Sequence, residues 1–181
     1  RLNSLLRMKI IYTKSKWEMW DDPLEAFLQR SKADGFDAVE VFLPALSENP
    51  AEIKRMVADH GLKLVAQIVS EGETPEAHRQ SMLERLDFAA QTEPLFVNSH
   101  TGSDIFSFGE NCSIFAAADD CASAHGLLLT HETHRGRPTF NAPDTRRYLE
   151  ALPRMRINAD FSHWLCAVSY THLRAHETRH D

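Results

Sequence analysis

The stretch LLLTHETH, residues 127–134, alternates in a way that a strand buried on both faces does not. Successive side chains on a strand point to opposite faces. Leu128, Thr130, Glu132 and His134 therefore share one face, and Leu127, Leu129 and His131 take the other. A parallel strand covered by helices on both sides should be nearly uniform Val, Ile or Leu. Here one face turns polar and ends in a carboxylate and an imidazole. Two neighbouring segments repeat the pattern: Phe96, Asn98 and His100 share a face in 95–100, as do Asn158 and Asp160 in 156–160. Polar groups gathered at the C-terminal ends of successive strands are what a parallel barrel needs, because its chemistry sits on that rim.

Working outward, short β-rich apolar runs alternate with helical stretches. Strands are expected at Lys9–Thr13, Ala38–Leu43, Lys63–Ser70, Leu95–Ser99, Leu127–Glu132 and Arg156–Asp160. Their starts fall about 30 residues apart, the length of one strand-helix unit. Asp22 before Pro23, Asn49 before Pro50 and Thr74 before Pro75 read as helix N-caps with proline at the first helical position. Gly35, Gly61 and Gly126 read as helix stops. Such a series implies parallel strands with right-handed crossovers. Two architectures fit: an open doubly wound sheet, complete at six strands, or an α/β fold of the (β/α)8 TIM barrel type. A full barrel takes roughly 250 residues, so on that reading the chain is an incomplete barrel of about six βα units.

With 181 residues, 43% hydrophobic and 25% charged, the chain fits a globular domain and not a disordered one. A net charge of −6 argues against an extended nucleic-acid surface. No apolar run is long enough for a membrane span, so the expectation is a soluble, cytoplasmic protein without a membrane partner. Cys112, Cys121 and Cys166 form no CxxC pair, and the first two read as small core residues. GxGxxG, P-loop and GxSxG sequences are absent, which leaves dinucleotide, P-loop and serine-hydrolase readings without support. Residues 1–7 fit no element and read as an upstream extension before Met8. Residues 168–181 resemble the translation of a sequencing adapter, with a natural His-rich tail as the other reading. Residues 8–167 form the expected domain.

Glu132 and Asp160, joined by His100, His134 and His163, form a candidate site for a divalent metal. Mixed carboxylate and imidazole ligands suit Mn²⁺, Mg²⁺ or Co²⁺, with Zn²⁺ also compatible. Plainer roles exist for each residue. Glu132 could pair with Arg135 or Arg137, Asp160 could cap a turn, His163 could stack on Trp164, and His100 could cap the turn at Thr101-Gly102.

GFDAVEV (35–41), FVNSHTG (96–102), THETHRGR (130–137) and NADFSHW (158–164), in that order, resemble the xylose-isomerase-like TIM barrels. That superfamily holds sugar (phosphate) isomerases and epimerases as well as apurinic-site endonucleases. The resemblance implies that Glu132 is a metal ligand on the fifth strand and Asp160 a metal ligand on the sixth; Glu132, or a glutamate of the missing eighth strand, is the expected catalytic base. It implies substrate contacts for His163 and His100, more weakly for His134, and an acidic pocket residue at Glu40. Family members complete the metal site from a seventh and an eighth strand, which this chain lacks if the adapter reading holds; the fragment itself is then expected to be inactive. For the intact parent the expected activity is isomerisation or epimerisation of a small polyhydroxy carbonyl compound, such as a sugar or sugar phosphate, through an enediolate. The rivals are an apurinic-site endonuclease or a dehydratase of the same fold, and a non-catalytic α/β binding module. The expected partner is a small sugar-like molecule rather than nucleic acid, with self-association into a homo-oligomer left open.

Overall fold

The computed structural model describes residues 9–168. The N-terminal extension and, apart from residue 168, the tail singled out above lie outside the described residues. Six strands lie side by side in chain order. They are β1 (Thr13–Ser15), β2 (Ala38–Phe42), β3 (Lys63–Val69), β4 (Phe96–His100), β5 (Leu129–Glu132) and β6 (Ile157–Asn158). The connecting helices are α1 (Leu24–Ala33), α2 (Pro50–Asp59), α3 (Pro75–Gln91), α4 (Phe108–Ala124) and α5 (Ala142–Ala151). Every neighbouring pair is parallel. A doubly wound sheet reverses its strand order at a switch point. This one never reverses, which is the order of a singly wound barrel, here incomplete, with β1 and β6 at its edges.

The helices begin and end largely where the caps say. Asn49 Oδ1 accepts from Glu52 N at 3.0 Å while Glu52 Oε2 accepts from Asn49 N at 3.1 Å, a reciprocal cap on α2. Ser107 and Glu110 build the same box on α4, and Thr74 caps α3. The expected cap at Asp22 is not made. Pro23 itself occupies the N-cap position of α1, with no side-chain hydrogen bond. The loop is organised instead by the buried Lys16, whose Nζ donates to the carbonyls of Met19, Trp20 and Asp22 at 2.8–3.0 Å.

The edge strands are shorter and shifted relative to the sequence expectation. β1 spans Thr13–Ser15 instead of Lys9–Thr13, because β2 begins at Ala38 and pairs first with Thr13. β6 shrinks to Ile157–Asn158, which pair with His131 and Glu132 on one side only.

Registers Val39↔Leu64, Val41↔Ala66, Ala66↔Val97 and Val97↔Leu129 align the apolar face of the sheet. That face packs against Leu24, Phe27, Leu28, Ile53, Val57, Met82, Leu86, Ala118 and Ala122 of the helices, forming one continuous core. A smaller cluster joins Phe115, Tyr148 and Met155 under α4 and α5. With the helix-facing side filled by hydrocarbon, the alternate positions face the barrel interior. Registers Ser15↔Glu40, Phe42↔Gln67, Gln67↔Asn98, Asn98↔Thr130 and Glu132↔Asn158 run through that inner face. No helix among the described residues is long and apolar enough to cross a membrane.

Candidate functional site

Glu132 is the last residue of β5 and is buried, at 9% exposure. Its Oε2 accepts from Asn98 Nδ2 at 2.5 Å and lies 3.1 Å from His100 Nε2. Both partners come from β4, so parallel register alone brings the three together. The same Asn98 nitrogen donates to Glu40 Oε1 at 3.0 Å, so one amide bridges carboxylates from two other strands. The remaining amide oxygen, Asn98 Oδ1, is buried without a hydrogen-bond partner.

The histidines form a file along the rim. The rings of His100 and His134 stack at 4.2 Å between centroids, and His134 lies 4.3 Å from His163. His163 Nε2 is 3.8 Å from Asp160 Oδ2, and its Nδ1 is buried without a partner. His134 Nδ1 donates to the Arg135 carbonyl at 2.8 Å, the only role an imidazole nitrogen can take there. In the neutral ring that bond fixes the tautomer and leaves Nε2 with its lone pair. Burial pushes the His134 pKa down; the hydrogen bond to Arg135 opposes this, while His100 and His163 add to it. The ring is thereby kept in the neutral form a metal requires.

The two inner carboxylates differ. Burial alone would raise the pKa of Glu132, but the hydrogen bond and charge of His100, together with Asn98 and His134, outweigh it and hold the carboxyl below its ordinary value. Glu40 goes the other way: burial raises its pKa, the Asn98 hydrogen bond opposes, and repulsion from Glu132 adds to the rise. A carboxyl whose folded pKa is raised gives stability that is present below its unfolded pKa and lost as pH rises through the folded value. Glu40→Gln retains an acceptor for Asn98 and removes the charge. It is therefore expected to raise the melting temperature at neutral pH, with the gain fading on acidification. Thermal melts across the acid-to-neutral range check this; a constant difference at every pH would contradict it.

Several plainer roles can now be compared with the geometry. Arg137 does not pair with Glu132; its guanidinium donates to the carbonyls of Ser70 and Gly102, at 3.2 and 2.6 Å. Asp160 does act as a turn acid, with Oδ1 accepting from Ser162 N at 2.8 Å, while Oδ2 is the oxygen nearest His163. Trp164 meets Phe161 edge-on, and the ring partners of His163 are His134 and Phe140. His131 lies on the helix-facing side, 1% exposed, against Phe115, with Nδ1 near Ser99 and Thr101 and Nε2 3.4 Å from Asp119. Two further residues join the inner face. Gln67 Nε2 lies 3.4 Å from His100 Nε2, and Gln67 Oε1 accepts from Trp17 Nε1 at 2.8 Å. Trp17 stacks on the exposed Trp20 at 4.7 Å, beside Phe42. The sequence signal for Gln67 was a lone amide in the apolar run LKLVAQIVS (62–70).

His100, Glu132 and His134 present ligand atoms within 4.8 Å of one another, as do Glu132, Asp160 and His163, so Glu132 is common to both sets. Carboxylate and imidazole donors in this mixture fit Mn²⁺, Mg²⁺, Co²⁺ or Zn²⁺. The unpartnered His163 Nδ1 and Asn98 Oδ1 mark the same region as one whose polar atoms are not all satisfied by the protein.

A singly wound parallel sheet with carboxylates and imidazoles along the C-terminal rim is the arrangement of a TIM barrel, and those side chains are groups that could hold a metal. Residues 28–180 match the xylose isomerase-like TIM barrel family, and the chain belongs to it. Among solved structures it is similar to the probable 3-DHS dehydratase AsbF from Bacillus anthracis, at 17% identity and TM-score 0.62, covering 86% of this chain and 65% of that one. It is similar to a D-allulose 3-epimerase from Methylomonas sp. in complex with D-allulose, at 14% identity and TM-score 0.68, covering 86% and 64%. It is also similar to the IOLI protein with a bound zinc atom, at 9% identity and TM-score 0.66, covering 82% and 62%. The chain thus spans slightly less than two thirds of the length of each. At such identities the likeness shows the fold. No curated protein matches the chain.

Proposed function

We propose that this chain carries much of the active site of a divalent-metal-dependent isomerase or epimerase acting on a small polyhydroxy carbonyl compound, a sugar or sugar phosphate. The observation that carries the reading is Glu132: a buried strand-end carboxylate held in the anionic form, with imidazoles from two strand ends and a second carboxylate gathered around it. The epimerase seen with D-allulose and the zinc-bound relative support the substrate class and the metal. Glu132 and Asp160 would hold the metal, with His134 or His163 able to contribute imidazole nitrogen. When bound, such a metal supplies Lewis acidity toward the carbonyl and neighbouring hydroxyl oxygens of the substrate.

The chain's own residues account for the rest. Glu132, ionised at neutral pH, removes the proton from the carbon next to the carbonyl to give an enediolate. Delivery of that proton to the former carbonyl carbon gives the isomer, whereas the epimer requires a second group to protonate the original carbon from the opposite face. Asn98 holds that carboxylate in place through a 2.5 Å hydrogen bond. His100 and His163 bind substrate hydroxyls. The Trp17–Trp20 stack gives an apolar wall for the carbon skeleton and limits water at that side of the rim. Glu40, more readily protonated than Glu132, is the nearby carboxyl suited to donate a hydrogen bond.

The test uses a complete eight-stranded barrel that includes this chain, incubated with Mn²⁺ and a panel of ketoses and aldoses in D₂O. Solvent deuterium should appear at the carbon bonded to the carbonyl, together with the epimer or isomer. Exchange should disappear in Glu132→Gln. Metal binding without exchange on any sugar would overturn the reading, and release of an unsaturated carbonyl product would move it to dehydration.

A further inference from the structure

A second group of ligating atoms lies at the other end of the strands. α3 and α4 pack side by side, and Asp87 of α3 faces Cys121 of α4 and His125, the C-cap residue of α4. Each offers one ligand atom, and the three atoms lie within 4.8 Å of one another. His125 precedes β5 and Glu132 ends it, so the whole strand separates this group from the rim described above.

We propose that Asp87, Cys121 and His125 form a second metal site, taking a borderline-soft ion such as Zn²⁺ or Co²⁺ as a clip between α3 and α4. Cys121 and His125 are four residues apart, so one helical turn stacks sulfur and imidazole on the same face. The neighbouring helix supplies the oxygen. His125 Nε2 lies 2.7 Å from Asp87 Oδ1, and Cys121 Sγ lies 3.9 Å from the same oxygen. Ligand atoms around tetrahedral zinc, with bonds of about 2.0–2.3 Å, sit roughly 3.3–3.6 Å apart. The sulfur is therefore near its place, and the imidazole and carboxylate need to part by about half an ångström to admit the ion. Their side chains, 38% and 62% exposed, are free to do so. A water completes the fourth position.

The balance is simple. The Cys121 S–H bond breaks, an S–metal bond forms and the proton goes to solvent. The hydrogen shared between His125 Nε2 and Asp87 is also displaced, either to Nδ1 or to solvent. Burial, together with the facing Asp87, pushes the Cys121 thiol up, so the free site holds its proton and affinity rises with pH. This inference does not depend on the sugar chemistry proposed above.

Co²⁺ titration of the 181-residue chain tests it, followed through thiolate-to-cobalt charge-transfer absorption. Among the described residues, the ligand sets at the rim contain no cysteine, and the Cys112 and Cys166 variants separate any other thiolate band from that of this site. The band is expected in the unaltered chain, lost in Cys121→Ser, and retained in Cys112→Ser and Cys166→Ser. Asp87→Asn and His125→Gln should weaken Co²⁺ binding by about tenfold or more. Zn²⁺ should raise the melting temperature of the unaltered chain and of Glu132→Gln alike. No band, or a band that survives Cys121→Ser, would overturn the proposal. If Cys121→Ser fails to fold, the exposed Asp87→Asn decides: native circular dichroism with unchanged Co²⁺ affinity overturns it as well.

Discussion

Glu132→Gln is expected to weaken Mn²⁺ binding by about 100-fold or more while leaving the fold intact. Glutamine keeps an oxygen to accept from Asn98, so the buried amide of β4 retains its partner. What is lost is the one charge common to both ligand sets, and with it the anion that faces His100 at 3.1 Å. Mn²⁺ prefers oxygen donors and gains little from the thiol of Cys121, so it reads the rim selectively. Electron paramagnetic resonance of free Mn²⁺ during a titration gives the affinity directly. Equal affinity in both proteins, with matching thermal melts, would sink the strand-end metal site and the proposed function with it.

A large loss of stability from a single methyl group is expected at Gly102, roughly 2–4 kcal/mol for Gly102→Ala. Two effects combine there. The residue has φ +72°, a left-handed conformation that costs an L side chain about 1–2 kcal/mol. An added Cβ would also collide with Asn111 Oδ1 and crowd Pro138. Asn111 is fully buried and cannot simply swing away: Oδ1 accepts from Ser103 N, and Nδ2 donates to the carbonyls of Ser103, Phe106 and Ser107. Gly126→Ala is the control, since Gly126 has φ +69° but open space around the new methyl. Urea unfolding of both variants isolates the collision. A difference below about 0.5 kcal/mol would show that the loop after β4 yields easily.

Much of this architecture was legible in the sequence for a physical reason. Proline after Asn49 and Thr74, and glycine at 61 and 126, mark helix ends by local dihedral limits, which no distant contact needs to confirm. Alternation in 127–134 likewise assigned Glu132 and His131 to opposite faces, where they are found. Strand ends were less legible because a strand stops where its neighbour stops. Lys9–Tyr12 has β character, but β2 begins opposite Thr13. The cap at Asp22 failed for a similar reason, since the three carbonyls held by Lys16 shape that loop from residues outside the helix.

Site partners were the least legible. Nothing local says that Asn98 bridges Glu40 and Glu132, which are 58 and 34 residues away in the chain. Cys121 read as a small core residue from its helix, and it does pack against the main core, but that is only part of its surroundings. Its sulfur faces Asp87 on another helix, a relation fixed only when α3 and α4 dock.

Arg137 gives the rim a mechanical property of its own. With one guanidinium nitrogen on the carbonyls of both Ser70 and Gly102, the segments leaving β3 and β4 are riveted to the loop that follows β5. Three connections that would otherwise fluctuate separately behave as one plate. A molecule settling against any of them meets a surface whose ordering entropy was lost when the chain folded, and little remains to be lost on capture.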